Sequence, residues 1–166
     1  MFIKLKLEKY LKDHLEEKRN ILRKAKAFQE DAMMDRECCY SMGSNINTFI
    51  DENKNDNTFQ TLLFKLIDSK KLKDSDVYNK VNIDRRLFSK IRSDKNYHPS
   101  KETVILLGIS LELTEKELED LLESASYSLP MNTTYDLIIR FCFKERIFDI
   151  NQINEFLYDH NCNILN

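Results

Sequence analysis

The chain has 166 residues, of which 42% are hydrophobic and 33% charged, with a formal net charge of −2. That is enough apolar material for one compact domain with an added arm, and too little positive charge for a protein that wraps nucleic acid over its whole surface. Two glycines and two prolines argue against sandwiches, barrels and any glycine-rich phosphate loop.

The opening residues Met1 to Glu8 lack the apolar run of a secretory signal, and no stretch approaches the ~20 apolar residues of a membrane span. The expectation is a cytoplasmic protein with no membrane partner. From Leu7 to Met34 apolar residues recur at Leu7, Leu11, Leu15, Leu22, Ala25, Phe28 and Ala32. Gaps of three, four and seven place them on one stripe of a long helix. That stripe needs cover, either from a second copy or from the body of the protein. Ser41 to Asn57, rich in Asn and poor in apolar residues, reads as a linker.

Helix-start signals then repeat. Asn57, Thr114 and Asp149 each stand three residues before Gln or Glu, so the first side chain can cap an amide while the second reaches back. Asp74, Asp84, Ser100 and Thr133 are further caps by residue type. Helices are predicted over 58–70, 75–81, 85–93, 101–111, 115–126, 133–146 and 150–160, with no strands. The fold class is all-α. Three regions follow: an arm and linker over 1–56, a body over 57–127, and a helical hairpin over 128–166.

The short pair in the body is the informative part. Asp74 to Val81 forms one helix, Asn82 and Ile83 the turn, and Asp84 to Arg92 the next helix. Val77, Val81, Ile83, Phe88 and Ile91 are the expected buried side. Asn82 stands where a left-handed residue is wanted, a conformation Asn tolerates. A polar loop, the pair Pro99-Ser100 and an apolar helix from Thr103 to Leu111 come next.

From about Asn57 to Tyr127 this order resembles the Cro/repressor (XRE) family of helix-turn-helix proteins. The resemblance implies a lambda-repressor-like five-helix domain whose third helix enters the major groove of DNA. Here it would carry a long N-terminal helix and a C-terminal hairpin in addition. The sequence departs from the family where the second helix opens. A phosphate-holding Gln is usual there, and this chain has Asp74, Ser75 and Asp76. Tyr78 replaces the usual small residue, and Asn82 the usual Gly.

From Lys80 to Lys101 seven cations face two carboxylates, a local charge of +5 in a chain of net −2. Glu112 to Glu123 is acidic, so the molecule is polarised. Arg85, Arg86, Ser89 and Lys90 lie opposite Phe88 and Ile91 and are the expected base readers, with Arg on guanine the favoured pairing. Lys80, Arg92, Lys95 and Lys101 are the expected phosphate contacts. A solvated basic face of no special use is the plainer alternative.

In the family it resembles, the fourth helix usually keeps polar residues facing out; here Leu106 and Ile109 occupy those positions and would need cover. The hairpin stripes, Leu137, Ile138, Phe141 and Cys142 against Ile150, Ile153, Phe156 and Leu157, could supply it or could form a dimer interface. His14, His98 and His160 are well separated, and no catalytic signature appears. His160 and Cys162 are too few for a metal, and Cys38, Cys39, Cys142 and Cys162 have no zinc or disulfide spacing. No enzyme, cofactor or metal is expected.

The leading expectation is a sequence-specific regulator binding double-stranded DNA, with a homodimer through the arm or the hairpin as one arrangement. The rival is a non-catalytic protein-interaction module, adaptor or antitoxin-like, on a helix-turn-helix scaffold that has lost DNA binding. RNA binding through the N-terminal helix, with nine Lys or Arg against five Asp or Glu to Glu30, ranks behind both, since aromatic platforms are lacking.

Overall fold

A computed structural model describes residues 2–28, 58–94 and 96–166 of the chain. Among these residues lie eight helices and no strand: α1 (Phe2–Phe28), α2 (Phe59–Ser69), α3 (Asp74–Lys80), α4 (Arg85–Ser93), α5 (Lys101–Ser110), α6 (Glu115–Ser124), α7 (Thr134–Lys144) and α8 (Ile150–Asp159). The predicted linker, the cap at Asn57, the first helix beyond Phe28 and Lys95 lie outside the described residues. So do the side chains of the stripe from Leu22 onward.

The starts follow local chemistry. Thr58, Asp84, Ser100, Thr114, Thr133 and Asp149 each accept a hydrogen bond from an amide in the first turn of α2, α4, α5, α6, α7 and α8. Only at Thr114, where the Glu117 carboxylate returns to the Thr114 amide at 2.7 Å, does the reciprocal box close. Asp74 corrects the expectation of a cap. It is the first residue of α3, and the residue before it, Lys73, makes no side-chain cap.

The stops share a device that glycine usually serves. Lys71, Asn82, Glu112, Ser126, Arg146 and Asn161 have φ between 50° and 59°, each just past a helix. The next residue, Leu72, Ile83, Leu113, Tyr127, Ile147 or Cys162, donates its amide to the carbonyl five residues back. This is the Schellman closure, and the residue after the left-handed one is apolar each time, as that closure favours.

Helix α5 is the centre. Every residue from Thr103 to Ser110 is buried, Leu106 and Ile109 included. Ser110 Oγ donates to the Val77 carbonyl at 2.6 Å, tying α5 to α3. A methyl placed on Gly108 would stand 2.7 Å from Leu118 Cδ1 and 3.3 Å from Phe143 Cζ. Helices α6 and α7 therefore press on α5 at one point. Helix α2 packs on α6, and α7 on α8.

Polar bonds fasten α7 to the same body. The Asp136 carboxylate, 4% exposed, accepts from Lys101 Nζ at 2.6 Å and from the Thr133 hydroxyl at 2.6 Å. Arg140 reaches Glu115 at 2.8 Å, Glu119 at 2.5 Å and the Leu129 carbonyl at 2.8 Å. Helix α1 lies along α7. Leu7 and Leu11 are buried, and the Tyr10 ring stands 5.4 Å from that of Phe141. Lys4 pairs with Glu155 and Asp159 of α8, and Lys6 with Glu145. Further along the stripe Leu15 is exposed, as is Ile21 off the stripe.

Candidate nucleic-acid interface

Helix α4 is strongly two-faced because its sequence alternates by turn. Phe88 and Ile91 enter the core, with Leu87 half-buried beside them. Arg85, Arg86, Ser89, Lys90, Arg92 and Ser93 face solvent. Contacts at its start, middle and end hold the helix. Asp84 Oδ1 accepts from the Arg86 amide at 2.5 Å. The Phe88 ring packs edge-on against Phe64 and tilted against Tyr78. Gln60 of α2 donates to the Asp94 carbonyl at the far end. Ahead of α4, Asn82 turns the chain at φ 55° and Ile83 closes onto Tyr78. Val77, Val81, Ile83, Phe88 and Ile91 are all buried, so the turn and both flanking helices share one apolar anchor.

The predicted base readers sit together on the outer face. Arg85 and Arg86 have no carboxylate partner among the described residues, and Lys90 lies over the Tyr97 ring at 4.7 Å. The predicted phosphate contacts are arranged otherwise. Arg92 bonds Asp74 Oδ1 at 2.7 Å and covers the Phe64 ring at 4.4 Å. Lys80 pairs with Glu112 at 2.5 Å. Lys101 is the counter-ion of buried Asp136. Three cations of the local +5 charge therefore already meet a carboxylate of the chain itself. Sequence reading missed these partners, since 18 to 35 residues separate the members of each pair. The aromatic support Phe64, 28 residues from Arg92, was missed for the same reason, and Tyr97, in the loop after α4, offered no helical spacing that would place it under Lys90.

Lys80 belongs to a different surface. It borders a cleft with Lys70, Asp76, Glu112 and Arg146, where α2, α3 and α5 end. Arg146 donates to the Glu112 and Leu113 carbonyls and stacks on Phe148. The cations there answer the partial negative charge of helix C-termini, and Lys80 holds the Glu112 carboxyl below its ordinary pKa. His98 is exposed against the Tyr127 ring at 5.2 Å, whose hydroxyl donates to the Pro99 carbonyl at 3.2 Å. That contact positions the loop before α5.

Among the described residues no group of three or more His, Cys, Asp or Glu side chains could hold a metal ion. Burial pushes the Cys142 thiol up to about 12, which leaves it protonated and unreactive at neutral pH. No described helix is long and apolar enough to cross a membrane. Compared with protein-family models, curated proteins and solved structures, the chain has no match in any of the three.

Proposed function

We propose that this chain is a sequence-specific DNA-binding regulator, with α2 to α6 as a lambda-repressor-like unit of the Cro/repressor type and α4 as its reading helix. The observation that carries the reading is the outer face of α4. It presents Arg85, Arg86, Ser89 and Lys90 together, free of carboxylates among the described residues, on a helix whose other face is anchored in the core. An exposed pair of arginines at the start of a rigid helix suits bidentate bonding to guanine in the major groove. Lys90, steadied by Tyr97, and Ser89 extend the same face by one turn. The order of elements supports the topology, as do the packing of α2 on α6 and of α3 on α5.

The rival, a protein-interaction module on the same scaffold, draws on one specific observation. Arg92, Lys80 and Lys101, cations that would grip phosphates, each hold a carboxylate of this chain. Fluorescence anisotropy on random duplexes, titrated with salt, decides between them. DNA binding gives an affinity that falls with salt, log against log, at about −0.9 per phosphate contact, and that drops in the Arg85→Ala/Arg86→Ala variant. If the wild type shows no binding at low salt, the DNA reading is lost and the interaction module takes its place.

A further inference from the structure

We infer that Asp74 is an internal stand-in for a DNA phosphate: it holds Arg92 in the free protein and must release that guanidinium when the duplex backbone binds. The inference rests on the DNA-binding reading above. Arg92 sits on α4 itself, one turn beyond Phe88 on the way to the loop. Its guanidinium carbon lies over the Phe64 ring, 4.4 Å from the centroid, and its Nη2 donates to Asp74 Oδ1 at 2.7 Å. Asp74 is its one carboxylate partner among the described residues. The remaining N–H donors are the kind that pair with a phosphate oxygen. A cleft lined by Thr58, Gln60, Thr61 and Phe64 opens beside the guanidinium.

Exchange is feasible at this pair and poor at Lys101. The side chains of Arg92 and Asp74 are 54% and 36% exposed, so water and a phosphate can both reach them. An exposed pair of this kind is weak and easily replaced. Withdrawing Lys101 from Asp136 would instead strand a buried carboxylate, which is costly. Lys80 answers Glu112 on the cleft at the ends of α2, α3 and α5. Arg92 is thus the one of these three cations that both rides on the reading helix and has a partner water can replace. Once a phosphate engages Arg92, the Asp74 carboxylate is left as a like charge beside it. Asp74 therefore restrains backbone affinity and makes binding depend more on the bases that Arg85 and Arg86 read.

The test is the same anisotropy titration on random duplexes with Asp74→Asn, Asp76→Asn, Arg92→Ala and Asp74→Asn/Arg92→Ala. Asp76 shares the first turn of α3 and is not paired with Arg92, so it controls for bare charge. The expected result is an affinity gain of about fivefold for Asp74→Asn, the worth of an exposed ion pair, with a salt slope steeper by about one phosphate contact. Asp76→Asn gains less, and Arg92→Ala cancels the Asp74→Asn gain. Asp74→Ser should repeat the gain if Asn disturbs the first turn of α3. If neither Asp74 variant exceeds the wild type, or Asp76→Asn matches them, the exchange is refuted while Arg85→Ala/Arg86→Ala still reports on DNA reading. If the wild type binds no duplex, both proposals fall together.

Discussion

Ser126 shows what a left-handed residue costs when it is not glycine. Its φ is 58°, its side chain is exposed, and its amide serves the closure of α6 through the Glu123 carbonyl. A Cβ in this conformation costs roughly 1 kcal/mol or more, part of which glycine returns as entropy lost on folding. Ser126→Gly should therefore stabilise the protein by about 0.5 kcal/mol. Urea unfolding checks it: the midpoint rises with an unchanged slope, and an unmoved or lower midpoint rejects the account. Arg146 has the same backbone but a working side chain on Glu112, Leu113 and Phe148, so it is a poor site for the same change. Glu117 gives a pH effect at this scale. The Thr114 amide, helped by its hydroxyl and opposed by burial, lowers its pKa from the ordinary 4.5. A carboxyl lowered on folding stabilises fully above its unfolded pKa and loses that contribution as pH falls through its folded value. The stability advantage of wild type over Glu117→Gln should thus be constant from pH 5 to 8 and shrink below about 4.5. An advantage unchanged at pH 3 in parallel urea titrations rejects the cap as its source.

At the scale of elements, α5 is the part on which the others depend. Gly108 lets α6 and α7 close on it, and an added methyl meets Leu118 and Phe143 together. Overpacking costs about 1–3 kcal/mol, against a gain of about 1 kcal/mol in helix propensity for Gly→Ala. Gly108→Ala should then destabilise by about 1 kcal/mol, read as a lower thermal midpoint; a rise would mean the three helices are loosely packed there. The existence of α4 to α8 was legible because caps such as Thr114 and Asp149 stand at their starts and apolar spacing follows, while α3, which no side chain caps, was legible from its place before the Asn82 turn. The unbroken apolar run from Val104 to Ile109 already signalled cover on more than one side. The stops were legible only at Asn82. Lys71, Glu112, Ser126, Arg146 and Asn161 are residue types that do not advertise a left-handed backbone, although the apolar residue after each was a usable sign. The candidate interface was legible as a face and illegible as a circuit. Helical spacing put Arg85, Arg86, Ser89 and Lys90 together, while the partners of Arg92, Lys80 and Lys101 come from other helices, where only tertiary packing decides.

The molecule as a whole keeps much of its charge occupied internally. Acids around α6 are paired with cations from elsewhere, Glu112 with Lys80 and Glu115 and Glu119 with Arg140. Of the two charged stretches read along the sequence, Arg85, Arg86 and Lys90 on one and Asp120 and Glu123 on the other stay exposed and make no ion pair among the described residues. The same long-range economy applies to apolar surface. Leu7 and Leu11 of α1 are buried on a helix that begins at Thr134, and Lys4 and Lys6 find their carboxylates at Glu155, Asp159 and Glu145. Chains are made from the N-terminus, at a rate of about 5–20 residues per second. On a ribosome, α1 emerges many seconds before the surface that receives it exists. Helix α1 is therefore made well before the helices that cover it, and Leu7 and Leu11 stay without that cover until α7 and α8 have left the exit tunnel.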